Sequence, residues 1–259
     1  MPQFIISSKD NPGIKEYKKL ASSKKARDRA DCFVLEGLRL VTDALESGFE
    51  PEKIFLTEKN IERLDTLLPE NKLICISEKV SEYVSETENS QGVFAVFHKP
   101  GRKKPEAVFE KADNIIILNE LQDPGNMGTI IRTADALGMD AVVAVSSCEV
   151  FNPKVVRAAM GSVMRLTVLE MKDSGEVLEL CRKNNIITGA AVLSSDSVAL
   201  DKYSFSSKNA VWIGNEGKGL PETLANSCDK RLLIPMSGGA ESLNAAVAAS
   251  IFMWEMRRK

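Results

Sequence analysis

Apolar residues follow two different rhythms along this chain of 259 residues. In the second half they come as short continuous runs, at residues 115–118, 141–145, 166–170, 186–192, 210–213 and 231–235. A run with no polar face predicts a strand buried on both sides, the environment of a parallel sheet. Between the runs, apolar positions recur at helical spacing and predict helices at 128–137, 153–161, 175–184, 221–228 and 243–257. Pro221 at a first helical position and Gly138 just past an end fit the usual asymmetry of helix termini. The first half predicts a basic helix at 12–30, a strand at 32–35 and a helix at 37–47 ending at Gly48. Strands at 53–57, 73–77 and 93–97 follow, with polar helical segments between them. The alternation places the chain in the α/β class, and the absence of any repeat excludes a solenoid.

The two halves meet in a stretch of different composition. Residues 98–105 hold two prolines, a glycine and four positive charges, which reads as a linker. The expected organisation is a small domain over 1–97, a linker over 98–112 and a larger domain over 113–259. A net charge of −2 speaks weakly against nucleic acid, yet it averages over uneven segments. Residues 1–39 carry nine Lys/Arg against five Asp/Glu, and residues 40–90 carry five against twelve. Positive charge collects at Lys18, Lys19, Lys24, Lys25, Arg27 and Arg29 and in the linker. Such clusters suit phosphates and suit plain solvation equally, and patterning does not separate the two.

No apolar run approaches the roughly 18 residues of a membrane span, and MPQFIISSKDNPG lacks the features of a signal peptide. A cytoplasmic protein with no membrane partner is expected. The five cysteines, Cys32, Cys75, Cys148, Cys181 and Cys228, are scattered without a C-x-x-C pair, so neither disulfides nor a zinc site is expected.

Three segments place glycine, asparagine and charged residues directly after predicted strands, where open α/β sheets bind ligands. They are NELQDPGNMGTIIRTADALG (119–138), GNEGKGL (214–220) and IPMSGGAESLNAAVAASI (234–251). GNEGKGL has glycine where a Walker loop needs Ser or Thr, and no G-x-G-x-x-G opens a helix in the first segment. The single histidine, His98, lies in the linker, which removes triad chemistry. No carboxylate cluster is spaced to hold a metal. A ligand site of unspecified kind is what spacing alone supports.

In this order the three segments resemble motifs 1, 2 and 3 of the SpoU (TrmH-type) branch of the SPOUT-superfamily RNA methyltransferases. The resemblance covers residues 113–259, including FNPKVVRAAMGS (151–162). FVLEGLRLVTDAL (33–45) and SQGVFAV (90–96) resemble the substrate-binding domain that precedes the catalytic domain in rRNA-modifying members. The resemblance implies transfer of a methyl group from S-adenosylmethionine to a ribose 2′-hydroxyl of RNA, with rRNA favoured over tRNA. It also implies a mostly parallel sheet with a deep trefoil knot, a small L30e-like α/β RNA-binding domain, and a homodimer through the knot region and the final helix. A non-catalytic RNA-binding protein with a relic pocket and a base-directed methyltransferase are the rival readings.

Residue by residue, the resemblance places Leu193, Gly214, Asn215, Gly217, Ile234, Met236 and Leu243 around the cofactor. Apolar walls and close main chain suit an adenine. It makes Asn126, Arg132, Glu216, Ser242 and Asn244 the catalytic candidates. A guanidinium stays protonated, so Arg132 is read as holding a phosphate and stabilising a developing alkoxide rather than as a base. In the predicted helix Arg132 falls in the first turn, where the dipole disfavours a cation, and that placement points to function. Glu216 is expected to anchor Asn126. Lys24, Lys25, Arg27, Arg29, Arg39, Gln91 and Arg157 are the candidate RNA contacts.

Overall fold

The computed structural model describes residues 5–64, 72–88, 90–205 and 207–258. They fall into two compact units, residues 1–101 with 151–157, and residues 102–150 with 158–259.

The first unit runs β1 (Ile5–Ile6), α1 (Pro12–Ser22), α2 (Lys24–Ala30), β2 (Cys32–Glu36), α3 (Leu38–Glu46), β3 (Pro51–Leu56), α4 (Glu58–Leu64), β4 (Leu73–Ile76), α5 (Glu78–Val84) and β5 (Val93–His98). Its mixed sheet has the order β1-β4-β3-β5-β2, with β5 antiparallel to both neighbours. Ile14, Tyr17 and Leu20 recur at three-residue spacing on α1 and are buried with Val34, Phe55 and Phe94 of the sheet. The single helix expected at 12–30 is two. Ser23 is extended at φ −127°, and its hydroxyl accepts from the Ala26 amide, so it caps a new helix.

The second unit begins with α6 (Pro105–Lys111), inside the stretch expected to be linker. Pro105 occupies a first-turn position where its missing N–H costs nothing, and Phe109 and Ala112 are buried in the core. The charges of 102–104 hid this short apolar face. There follow β6 (Asn114–Asn119), α7 (Pro124–Ala136), β7 (Ala141–Val145), α8 (Pro153–Ala159), β8 (Thr167–Met171), α9 (Ser174–Lys183), β9 (Ile187–Ala191), β10 (Val198–Ala199), β11 (Asn209–Ile213), α10 (Glu222–Ser227), β12 (Lys230–Leu233) and α11 (Ala245–Arg257). Most of α8 groups with the first unit.

The seven strands pair in parallel throughout, in the order β10-β12-β9-β11-β6-β7-β8. Every residue of β6, β7 and β11 is buried, as the continuous apolar runs require. The helix after β6 begins four residues earlier than the pattern suggested. Asp123 caps it by accepting from the Asn126 amide at 2.7 Å, and Pro124 opens it. It ends where Gly138 turns to φ +67°.

Candidate active site

Strands β12, β9, β11 and β6 lie side by side in parallel, so their carboxyl ends open along one edge of the sheet. Strand order reverses at β6. From it β7 and β8 run to one side, while β9, β11 and β12 lie on the other. Open α/β sheets bind ligands at such a reversal. The three motif segments leave β6, β11 and β12 at this edge, and the loop carrying Leu193 leaves β9.

Hydrogen bonds join the three segments side chain to side chain. The Glu216 carboxylate, from the loop after β11, accepts from the Asp123 amide at 2.9 Å, the Gln122 amide at 3.2 Å and Asn126 Nδ2 at 3.2 Å. Asn126 Oδ1 accepts from Asn244 Nδ2 at 2.9 Å. Asn244 caps α11, its Oδ1 accepting from the amides of Ala246 and Val247 at 2.9 and 3.3 Å. The amide orientations follow from chemistry. An ionised carboxylate can only accept, so Asn126 must present Nδ2 to Glu216 and Oδ1 to Asn244. The cap amides can only donate, so Asn244 keeps Oδ1 on them and turns Nδ2 to Asn126. Each asparagine retains one amide hydrogen beyond these bonds.

Burial pushes the Glu216 carboxyl up, but bonds from the amides of Asp123, Glu216 itself and Gln122, and from Asn126, outweigh it and hold the group below the ordinary glutamate range. Glu216 is therefore an anion at neutral pH.

The loop after β11 is held in shape by its own backbone. Asn215 and Gly219 bond each other's main chain, and Asn215 Oδ1 accepts from the amides of Gly217 and Lys218 at 3.0 Å. Asn215 Nδ2 donates to the Glu120 carbonyl at 2.8 Å, tying the loop to the end of β6. A side chain at Gly214 has no room, since its Cβ would lie 2.3–2.5 Å from backbone atoms of Gly219 and Leu220.

Arg132 stands nine residues into α7, not in its first turn, because the helix starts at Pro124. The dipole argument for it therefore fails. Its side chain is exposed and makes no hydrogen bond or ion pair among the described residues. Ser242 is exposed in the loop before α11 and likewise unbonded. Leu193 and Leu243 are 60% and 36% exposed, and Ile234 and Met236 are half-buried.

The candidate RNA contacts divide. Lys24, Lys25 and Arg29 are exposed on α2, and Arg39 is exposed on α3. Arg27 is buried, 2% exposed, and its guanidinium donates to the carbonyls of Leu20 and Ala21 at the end of α1. It is thus a brace between two helices and not a surface cation. Gln91 Oε1 accepts from the Leu38 amide at 2.9 Å. Arg157 lies 3.9 Å from the Glu36 carboxylate, so its charge is already engaged.

Comparison with known proteins decides what this edge belongs to. Residues 113–254 match the SpoU rRNA Methylase family, and residues 11–95 match the MRM3-like substrate binding domain. The chain belongs to the SpoU rRNA methylase family. It is 35% identical to the 23S rRNA (guanosine(2553)-2′-O)-methyltransferase RlmP of Bacillus subtilis, over 97% of this chain and 98% of that protein. An AdoMet-bound rRNA methyltransferase from Sinorhizobium meliloti superposes with a TM-score of 0.89 at 30% identity, covering 98% of this chain and 97% of that one. The SpoU methyltransferase AviRb of Streptomyces viridochromogenes, in complex with AdoMet, superposes with a TM-score of 0.83 at 26% identity, covering 95% of this chain and 97% of that one. As a SpoU methylase this chain is an RNA methyltransferase that uses S-adenosylmethionine.

Two members of the site had escaped sequence reasoning. Asp123 positions the Asn126 amide, and Glu120, at φ +55°, turns its carbonyl to Asn215. The Asp-Pro pair ahead of an apolar helix was a readable cap signal for the first. Nothing local signalled the second.

Proposed function

We propose that the protein methylates a ribose 2′-hydroxyl of rRNA, with Asn126, Arg132, Glu216, Ser242 and Asn244 as the reacting edge and the loops after β9, β11 and β12 as the cofactor cradle. The bonded chain Asn244–Asn126–Glu216 carries this reading, because it locks three sequence-distant motifs into one rigid polar unit. Glu216 acts as the anchor of that unit. Its two oxygens are engaged by three donors, which leaves it a poor base.

The cradle suits S-adenosylmethionine. Leu193, Ile234, Met236 and Leu243 offer apolar side chains for the adenine, the missing side chain at Gly214 lets the loop after β11 close on itself, and that at Gly217 leaves the main chain approachable. When bound, the cofactor supplies an electrophilic sulfonium methyl. The chain's part is to bring the ribose oxygen in line and to stabilise its developing negative charge. Arg132, permanently charged, holds the adjacent phosphate and that oxygen. The free amide hydrogens of Asn126 and Asn244 and the Ser242 hydroxyl add neutral donors. The hydroxyl proton leaves to phosphate or water.

Residues 1–97 are the RNA-binding domain, L30e-like in architecture, and 113–259 with α6 the catalytic domain, so the linker expected over 98–112 shortens to 98–104. Lys24, Lys25, Arg29 and Arg39 present exposed positive charge to RNA, and rRNA is favoured over tRNA. After β12 the chain returns over two intervening strands so that α11 packs on α7, β11 and β6. That return supports a deep trefoil knot threaded by residues 234–244. Val247 and Trp254, exposed by 48 and 56% on α11, support a homodimer through that helix. No helix among the described residues is long and apolar enough to cross a membrane, in keeping with a cytoplasmic site of action.

Arg132→Ala tests the assignment. Methyl transfer should fall by about 10²–10³, as for loss of one transition-state donor, while calorimetry shows S-adenosylmethionine binding unchanged. Unchanged transfer removes Arg132 from the site.

A further inference from the structure

The ends of three strands in the first unit bring together groups that lie far apart in sequence. Cys32 opens β2 and pairs across the antiparallel ladder with His98, the last residue of β5 and the only histidine of the chain. On the other side of β5 the register of β3 slips between Pro51 and Lys53, leaving Glu52 as the extra residue of a bulge. Bulges re-aim side chains. Here the Glu52 carboxylate reaches past the end of β5 to Cys32, although β2 and β3 are not neighbours.

The donor atoms stand at metal-ligand spacing. Glu52 Oε2 lies 3.3 Å and His98 Nδ1 3.5 Å from Cys32 Sγ, and all three atoms are within 4.8 Å of one another. A tetrahedral ion with bonds of about 2.3 Å to sulfur and about 2.0–2.2 Å to nitrogen or oxygen holds its ligands roughly 3.5 Å apart. A thiol donating to the carboxylate and an imidazole N–H donating to the sulfur account for the two contacts one at a time; the convergence of all three ligand atoms on one point is what a single ion needs. Among the described residues this is the one group of three or more potential ligands so arranged.

We propose that Cys32, Glu52 and His98 bind one zinc-class divalent transition-metal ion per chain, fastening the ends of β2, β3 and β5. Thiolate, imidazole and carboxylate together favour zinc over the hard cations magnesium and calcium. Cys32 is buried while His98 is exposed, so the ion is held from within and keeps its fourth position open to water. The charges around it are mixed. Lys53 engages the other Glu52 oxygen, Oε1, at 3.3 Å and is itself paired with Glu16, which leaves Oε2 for the ion. Binding forms the sulfur–metal bond and releases the thiol proton to solvent.

The test uses the full chain, stripped of metal under reducing conditions and titrated with Co²⁺. One equivalent should bind with a thiolate-to-cobalt charge-transfer band in the near ultraviolet, and Zn²⁺ should displace it. Cys32→Ser should abolish the band. His98→Ala, at an exposed strand end that tolerates truncation, should weaken affinity by more than roughly a hundredfold, since even outer-shell partners are worth about 10–100-fold. Absence of the band in the unmodified chain, its survival in Cys32→Ser, or unchanged affinity in His98→Ala would overturn the proposal.

Discussion

At the scale of single residues, the strand-end edge is organised by a carboxylate whose oxygens are already engaged by three donors. Glu216 gathers two backbone amides and the Asn126 side chain, and through Asn126 it fixes Asn244. Glu216→Gln puts a donor where two fixed amides need acceptors, so the network must break somewhere. Activity should fall by about 10–10²-fold, as expected when a residue that positions a transition-state donor is misplaced. The pH dependence has a definite sign. Because the folded carboxyl is held below its ordinary value, its contribution to stability is present in full above the ordinary glutamate range and is lost as pH falls through the folded value. Thermal unfolding of the wild type and Glu216→Gln should therefore differ near neutrality and converge in acid. A difference independent of pH would remove the anion from the account.

At the scale of elements, the sequence spoke most clearly where burial was complete. Strands β6, β7 and β11 were legible because apolar runs without a polar face have few other fates. Helix α6 was not, because Lys103 and Lys104 beside two prolines look like linker, and only the packing of Phe109 shows otherwise. The motif residues Asn126, Glu216 and Asn244 could be named from resemblance, but not the direction of their bonds, which depends on which atoms the backbone leaves free. Arg27 was misread as an RNA contact because charge patterning cannot see that a guanidinium caps the preceding helix. The three-ligand cluster of Cys32, Glu52 and His98 was invisible for a related reason, since a sheet and not a short spacing assembles it. Gly214 gives the sharpest element-scale prediction. Gly214→Ala drives a Cβ into the backbone of Gly219 and Leu220, so the loop after β11 must open. S-adenosylmethionine binding should be lost, and stability should fall by about 1–3 kcal/mol, the usual range for overpacking. Retained binding by calorimetry would show the loop is not the cradle.

At the scale of the whole molecule, helix α11 joins the polar unit to an exposed apolar face. Its N-cap, Asn244, is a member of the polar unit, and its outer face carries Val247 and Trp254 seven residues apart, nearly two turns and so on one side. Large apolar residues aligned in solvent on one face point to a covering surface. If a second copy covers them, Val247→Arg combined with Trp254→Arg should give a monomer by light scattering, with methyl transfer reduced along with it. A variant that remains dimeric would place the interface elsewhere. The central claim is the reaction itself, and it is tested most directly by incubating the purified protein with methyl-labelled S-adenosylmethionine and unmodified rRNA, then digesting to nucleosides for mass analysis. The account predicts label in a single 2′-O-methylnucleoside whose phosphodiester linkage resists alkali. Label on a base, or no label in any RNA, would contradict it.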